Sequence, residues 1–222
     1  MRCYMVCTDW MWSLMRFRLS PLRLLLAFTL MASGLSAWAQ EQRGDLSMCH
    51  QKTIEAVARQ EIEYLRRAYA IATDQIGEDT EASVTAGGEI YHQIFSPDVT
   101  FAVTGPETQP LTANGPKGWV DVVRGALGPL GPTQHLIGSQ VVTFDDLQWN
   151  DRCEVVSGKA KMQSYVQAWH DQNDREVWLF IGTYFDEVVY QPQRGWQISH
   201  MELRRVTGEL RPSGAAVAAT PL

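Results

Sequence analysis

The sequence is poor in cysteine, in basic charge and in long apolar runs. Four cysteines stand among 222 residues, at positions 3, 7, 49 and 153. None forms a CxxC pair, and the histidines are scattered, with no HExxH. His50 beside Cys49 is a poor metal pair, because adjacent helical residues diverge by about 100°. A zinc-hydrolase reading is therefore set aside. No glycine-rich phosphate loop precedes a helix and no GxSxG occurs, which removes nucleotide-binding and serine-hydrolase readings. No metal and no cofactor is expected. Basic residues number 19 against 25 acidic ones, for a net charge of −6. Such a chain lacks the electrostatic footprint that phosphate backbones attract, so no nucleic-acid partner is expected. No Lys/Arg run suggests a membrane-surface patch.

The one long apolar run lies near the N-terminus. Arg16, Arg18 and Arg23 precede and enter Leu24 to Leu35, and Ala37-Trp38-Ala39 gives a small-x-small site before Gln40. That order reads as a secretory signal peptide over 1–39, cut after Ala39, with Met15 as an alternative start. The run falls short of the roughly 20 residues of a membrane span, so no span is expected after cleavage. The chain is thus expected to be periplasmic or secreted. Losing Arg2, Arg16, Arg18, Arg23 and Asp9 with the leader leaves a net charge of −9. Cys49 and Cys153 then remain, either as a disulfide or as two thiols.

Gln40 to Leu222 suits one domain. Asp45 or Ser47 can cap a helix reaching about Ile76, with Gly77 as its C-cap. Ile54, Val57, Ala58, Ile62, Leu65, Ala68, Tyr69 and Ala72 step by threes and fours and make the buried stripe. Glu55, Arg59, Glu63, Arg66 and Arg67 are expected on the solvent side. Glu78 to Gly88 reads as a loop, and Glu89 to Phe95 as a short helix stopped by Ser96-Pro97. Strands are expected at Val99–Val103 and Leu111–Ala113, around the turn residues Gly105-Pro106-Glu107. Pro116 to Leu127 is a third helix with Trp119, Val122, Val123 and Ala126 on one side. Four strands follow as an antiparallel meander: His135–Phe144, Glu154–Trp169, Val177–Tyr190 and Gly195–Val206. Asp145-Asp146 is expected to be the first turn between them. The remainder, 211–222, reads as a disordered tail.

Helices first and a meander after describe an α+β domain over 40–210. Gly138, Gly158 and Gly182 are candidate sites of strand curvature. Several segments stand in a telling order: Tyr69-x4-Asp74, Ile94-Phe95-Ser96-Pro97-Asp98-Val99-Thr100-Phe101, Gly115-Pro116-Lys117-Gly118-Trp119-Val120, Thr133-Gln134-His135-Leu136-Ile137-Gly138, Gly182-Thr183-Tyr184-Phe185-Asp186, and the final pair Gly195-Trp196-Gln197-Ile198 and Leu203-Arg204-Arg205-Val206. Together these motifs, spread over 54–207, resemble the nuclear transport factor two-like superfamily, and within it the SnoaL-like and scytalone dehydratase-like branch. The resemblance implies a conical, cystatin-like barrel. In it a curved mixed or antiparallel sheet wraps a long N-terminal helix and two short ones, and an apolar pocket opens at one end.

The same resemblance implies that Asp74 orients His135. A carboxylate on one imidazole nitrogen fixes the tautomer and raises the basicity of the other. Such a dyad can take a proton alpha to a carbonyl and return it to a leaving hydroxyl. Tyr69, Phe101, Trp119, Tyr184 and His200 are the candidate ligand-binding residues, with Trp178 and Phe180 as further walls. On a helix the faces of Tyr69 and Asp74 differ by about 140°, so core packing is the competing role for Tyr69. Tyr165 stands where related dehydratases place a second histidine, and strand alternation turns it outward, away from Ala160, Met162, Ser164, Val166 and Ala168. Asp186 is expected to pair with Arg204 or Arg205. The partner is a small molecule, cyclic or polyketide-like. The chain is then a cofactor-independent lyase or isomerase, a non-catalytic binding or assembly protein of the same fold, or a subunit forming a homodimer through the outer sheet face.

Overall fold

A computed structural model of the chain describes residues 51–173 and 176–213. The expected leader, Cys49 and the tail beyond residue 213 lie outside the described residues. The described part of helix α1 spans residues 51–77. Ala58, Ile62, Leu65, Tyr69, Ala72 and Ile76 bury its apolar stripe. Arg66 departs from expectation: it is fully buried. It lies four residues after Ile62 and three before Tyr69, so the helical period places it on the inner face. The left-handed residue beyond the helix is Asp79, with φ 55°, and not Gly77.

Residues 78–88, expected as a loop, hold the start of helix α2, Glu81–Ile94. Thr80 and Ser83 form a reciprocal capping box at its N-terminus, an arrangement that contributes about 1 kcal/mol. One of its glycines marks close packing. A Cβ on Gly87 would stand 2.7 Å from the Ala72 carbonyl oxygen and 2.6 Å from Ile76 Cγ1. The low helix propensity that hides α2 in the sequence is what lets it lie against α1.

Strand β1, Phe95–Thr104, follows without a break and pairs with β2, Leu111–Asn114. Helix α3, Gly115–Leu127, has Pro116 near its start and buries Trp119, Val123 and Leu127. The meander is β3, Thr133–Trp149; β4, Val155–Asp171; β5, Glu176–Gln191; and β6, Gly195–Pro212. The order is β2-β1-β6-β5-β4-β3, and β1 runs parallel to β6 while every other pair is antiparallel. The sheet is therefore mixed and not closed. Asp145-Asp146 is not a turn. Asp146 pairs with Lys159 after an irregularity at Phe144, and the turn comes at Asn150, whose Oδ1 accepts from the backbone of Arg152 and Glu154.

Curvature comes from the long strands. Register shifts follow Gly138 in β3 and separate Ile181 from Gly182 in β5. At Gly158 a Cβ would meet the Trp196 ring at 2.3 Å. The inner face carries Ala160, Met162, Ser164, Val166 and Ala168, all buried. Helices α1, α2 and α3 supply the rest of the core through Tyr69, Tyr91 and Trp119. The result is an α+β cone.

Candidate functional site

A cavity of about 360 Å³ lies between helices α1 and α3 and the inner face of the sheet. Trp119, Val122, Val123 and Ala126 reach it from α3, and Tyr69 and Thr73 from α1. His135, Ala168, His170, Trp178, Phe180 and Tyr184 come from strands β3 to β5. Leu203 and Arg205 of β6 and the β1–β2 loop complete it.

His135 begins the inward register of β3, opposite Ala168. Asp74 lies in the last turn of α1. Its Oδ1 is 2.7 Å from His135 Nδ1, and its Oδ2 accepts from the His135 backbone N–H at 3.1 Å. Thr133 Oγ1 donates to Oδ1 at 2.8 Å. Three hydrogen bonds thus fix the carboxylate. The His135 side chain is 9 % exposed and that of Asp74 26 %, so the pair is drier on the histidine side. With Nδ1–H donating to the carboxylate, Nε2 carries the lone pair.

His170 is a second histidine that the sequence reading passed over. β4 continues two residues past the expected end at Trp169, and the inward alternation continues with it. His170 faces Thr133 in register and so sits diagonally from His135. Their rings meet edge to face at 5.6 Å. On its other side His170 stacks on Trp178 at 4.7 Å, and its Nδ1 lies 3.2 Å from the Trp178 carbonyl oxygen. Burial first, and the neighbouring His135 second, pull its pKa down to about 4. His170 is neutral in this site at neutral pH. Tyr165 is half exposed and turned outward, as the alternation requires.

The back wall is aromatic. Tyr69 stacks on Tyr91 at 5.4 Å and meets Tyr184 edge to face at 5.5 Å. Tyr69 is both core and wall: it is 2 % exposed and its hydroxyl accepts from Trp119 Nε1 at 3.2 Å. Burial, reinforced by Tyr69 and opposed by Arg66, pushes the Tyr184 phenol well above its ordinary range. It remains a hydrogen-bond donor.

Behind these rings the Arg66 guanidinium lies over Tyr184 at 3.8 Å and over Tyr69 at 4.5 Å. It donates to the Asp186 carboxylate, and both side chains are wholly buried. The expected partners of Asp186 are engaged elsewhere: Arg204 with Glu202 and Arg205 with Glu107. Those arginines lie on the neighbouring strand β6 opposite Thr183 and Gly182, and Met201, not an arginine, stands opposite Asp186. Burial pushes the Asp186 carboxyl up, and the adjacent guanidinium pulls the other way.

Two expected ligand residues lie elsewhere. Phe101 is in the core, stacked at 4.7 Å on the face of Trp119, and does not reach the cavity. His200 is on the outer face, opposite Glu187 of β5, with its Nδ1 2.7 Å from Thr100 Oγ1. There it lines an open, polar groove with Lys161, Gln163, Glu187 and Glu202. Even spacing with Trp196 and Ile198 suggested an inward side chain, but a register shift between Glu187 and Val188 reverses the parity. The inner cavity is the candidate site, since it combines an apolar enclosure with convergent titratable groups.

Several solved structures share the architecture. The protein Kfla4162 of Kribbella flavida is 23 % identical, with a TM-score of 0.52 over 70 % of this chain and 95 % of its own. A candidate scytalone dehydratase of Novosphingobium aromaticivorans is 19 % identical, with a TM-score of 0.53 over 74 % and 99 %. A type 2 hexachlorocyclohexane dehydrochlorinase, LinA, is 16 % identical, with a TM-score of 0.54 over 77 % and 99 %. These likenesses are of fold. No curated protein matches the chain in sequence. The SnoaL-like domain model matches residues 55–202, and with most of the folded domain inside that match the chain belongs to the SnoaL-like family of the nuclear transport factor two-like superfamily.

Proposed function

We propose that this protein is an exported, cofactor-independent lyase or isomerase that moves a proton on a small cyclic molecule, with His135 as the base and Asp74 as its orienting carboxylate. The observation that carries this reading is the 2.7 Å contact of His135 Nδ1 with Asp74 beside the cavity. Nδ1–H donation leaves the Nε2 lone pair to take a proton, and the carboxylate stabilises the imidazolium that forms. In the elimination, the C–H pair alpha to a carbonyl becomes the new double bond. The bond to the leaving hydroxyl breaks, and the proton on Nε2 passes to that hydroxyl as water departs. In the isomerisation, the proton returns to another carbon.

Either course builds negative charge on the substrate carbonyl oxygen, which needs a donor in a dry site. Tyr184 supplies a protonated phenol on the cavity wall. Tyr69, which accepts from Trp119, packs edge to face against Tyr184 and steadies that phenol from behind. His170, neutral at neutral pH, adds no positive charge against the imidazolium. Two structures of this fold bear the names of elimination enzymes, one a dehydratase and one a dehydrochlorinase, and His135 would serve either chemistry. The signal-peptide pattern expected over 1–39 supports export. The competing reading, a binding protein without turnover, draws on the apolar lining of Val103, Leu111, Val122 and Leu203.

The test is proton chemistry on a panel of cyclic β-hydroxy ketones. Loss of water is followed by ultraviolet absorbance, and exchange of alpha protons in heavy water by NMR. Turnover by the wild type that His135→Gln removes supports the enzyme. Tight binding without exchange, unchanged by His135→Gln, leaves the binding protein.

A further inference from the structure

Arg205 is the one Lys or Arg among the residues lining the cavity, and the catalytic scheme makes no use of it. It continues the inward register of β6 after Met201 and Leu203, opposite Gly182. Its side chain is 13 % exposed. Nη1 donates to the carbonyl oxygens of Glu107 at 2.9 Å and Pro106 at 3.4 Å. Nη2 lies 3.4 Å from the Glu107 carboxylate, while that side chain is 84 % exposed. Nε is buried and has no partner. A buried guanidinium N–H without an acceptor is costly. An ion pair with so exposed a carboxylate is weak and replaceable.

A second donor stands beside it. A Cβ placed on Gly208 would lie 3.2 Å from Arg205 Nη2 and 3.2 Å from Trp178 Nε1. Both nitrogens therefore border one glycine that has no side chain to cover them. Trp178 Nε1 makes no hydrogen bond to protein among the described residues. The Trp178 ring stacks on His170, which in turn meets His135. The cavity wall thus runs from the His135 base, across two rings, to a pair of N–H donors with a positive charge.

We infer that the cavity takes a small aromatic or alicyclic carboxylate, whose carboxylate is received by Arg205 and Trp178 while its ring lies along His170 toward His135. The Glu107 carboxylate already pairs with the same guanidinium, at 3.4 Å from Nη2. The guanidinium fork suits two carboxylate oxygens, and the low-dielectric wall strengthens the pairing. The inference rests on the proposed site but not on turnover, because it is read by equilibrium binding.

Calorimetric titration of the protein with trans-cinnamate and with its uncharged isostere trans-cinnamamide tests it. The wild type is expected to prefer the carboxylate by about tenfold or more. Arg205→Gln is expected to reduce that preference to about twofold or less while leaving the amide affinity unchanged. Because Arg205 also secures residues 106 and 107, Glu107→Gln serves as the second variant. It removes only the exposed competitor and is expected to tighten cinnamate binding by about two- to fivefold. Trp178→Phe keeps a ring, loses Nε1–H, and is expected to weaken cinnamate more than the amide. Equal affinity of the wild type for both probes, no binding of cinnamate, or a carboxylate preference that survives Arg205→Gln each overturns the inference. His135→Gln separates the two proposals. If it abolishes proton exchange but keeps the carboxylate preference, the sites act independently. Exchange without carboxylate preference would overturn this inference alone.

Discussion

Replacing His170 by asparagine should flatten the acid sensitivity of the fold. In the native state His170 has a pKa of about 4, because burial and the adjacent His135 disfavour its charge; unfolded, it titrates near 6.5. Between those values the unfolded chain binds about one proton that the native state refuses. Stability therefore falls as the pH drops through that window, and this contribution is fully present above about pH 6.5. The slope approaches about 1.4 kcal/mol per pH unit, and the whole window amounts to about 3 kcal/mol. Asparagine keeps an N–H for the Trp178 carbonyl oxygen but does not titrate. It gives up the stack on Trp178, so at pH 7 the variant should be less stable by about 1 to 3 kcal/mol. Urea unfolding followed by circular dichroism at intervals from pH 7.5 to pH 4 measures both curves. The wild type should lose about 3 kcal/mol more than His170→Asn across that range, so the two curves approach each other in acid. Parallel curves would refute the reasoning, since they would mean that His170 is as easily protonated folded as unfolded.

Asp74→Asn should lower turnover on any substrate by about 10²- to 10⁴-fold with a smaller change in KM, because the amide no longer favours the Nε2 base; a rate within twofold of wild type would remove Asp74 from the mechanism. Arg66→Met leaves Asp186 buried and uncompensated and should cost about 3–5 kcal/mol in chemical unfolding, whereas Arg66→Met with Asp186→Leu should recover most of it; additive losses would show that the pair is not coupled. Gly87→Ala forces a methyl onto the Ala72 carbonyl oxygen and Ile76 and should lower stability by about 1–3 kcal/mol, against the gain that helix propensity alone would bring; a higher melting temperature would contradict the close α1–α2 packing.

The elements legible in the sequence were those whose pattern is local. Steps of three and four placed the buried stripe of α1, and alternation placed the inner face of β4 from Ala160 to Ala168. Motif order carried Asp74 and His135 to hydrogen-bonding distance. What escaped depends on partners far along the chain or on a broken period. Helix α2 hides behind Gly87 and Gly88, and the poor propensity of Gly87 is offset by a close approach to the Ala72 carbonyl oxygen that only tertiary structure reveals. His200 follows the inward count until a bulge moves it outside. Two further misses share one physical feature. Arg66 and His170 both occupy positions that the hydrophobic period assigns to the interior, with side chains that composition assigns to solvent. Period and chemistry conflict at each, and at each the period prevailed. Thr73, Asp186 and Arg205 are further cases, polar residues on inward registers around the same rings. Burying such groups costs free energy that ordinary core residues would not. Thr73, His170 and Arg205 carry that cost along the cavity and Arg66 with Asp186 behind its rings, while Ser96 and Gln197 carry it beside Phe95, where Gln197 Nε2 donates to the Phe95 carbonyl oxygen and shows that a buried polar group there serves the backbone.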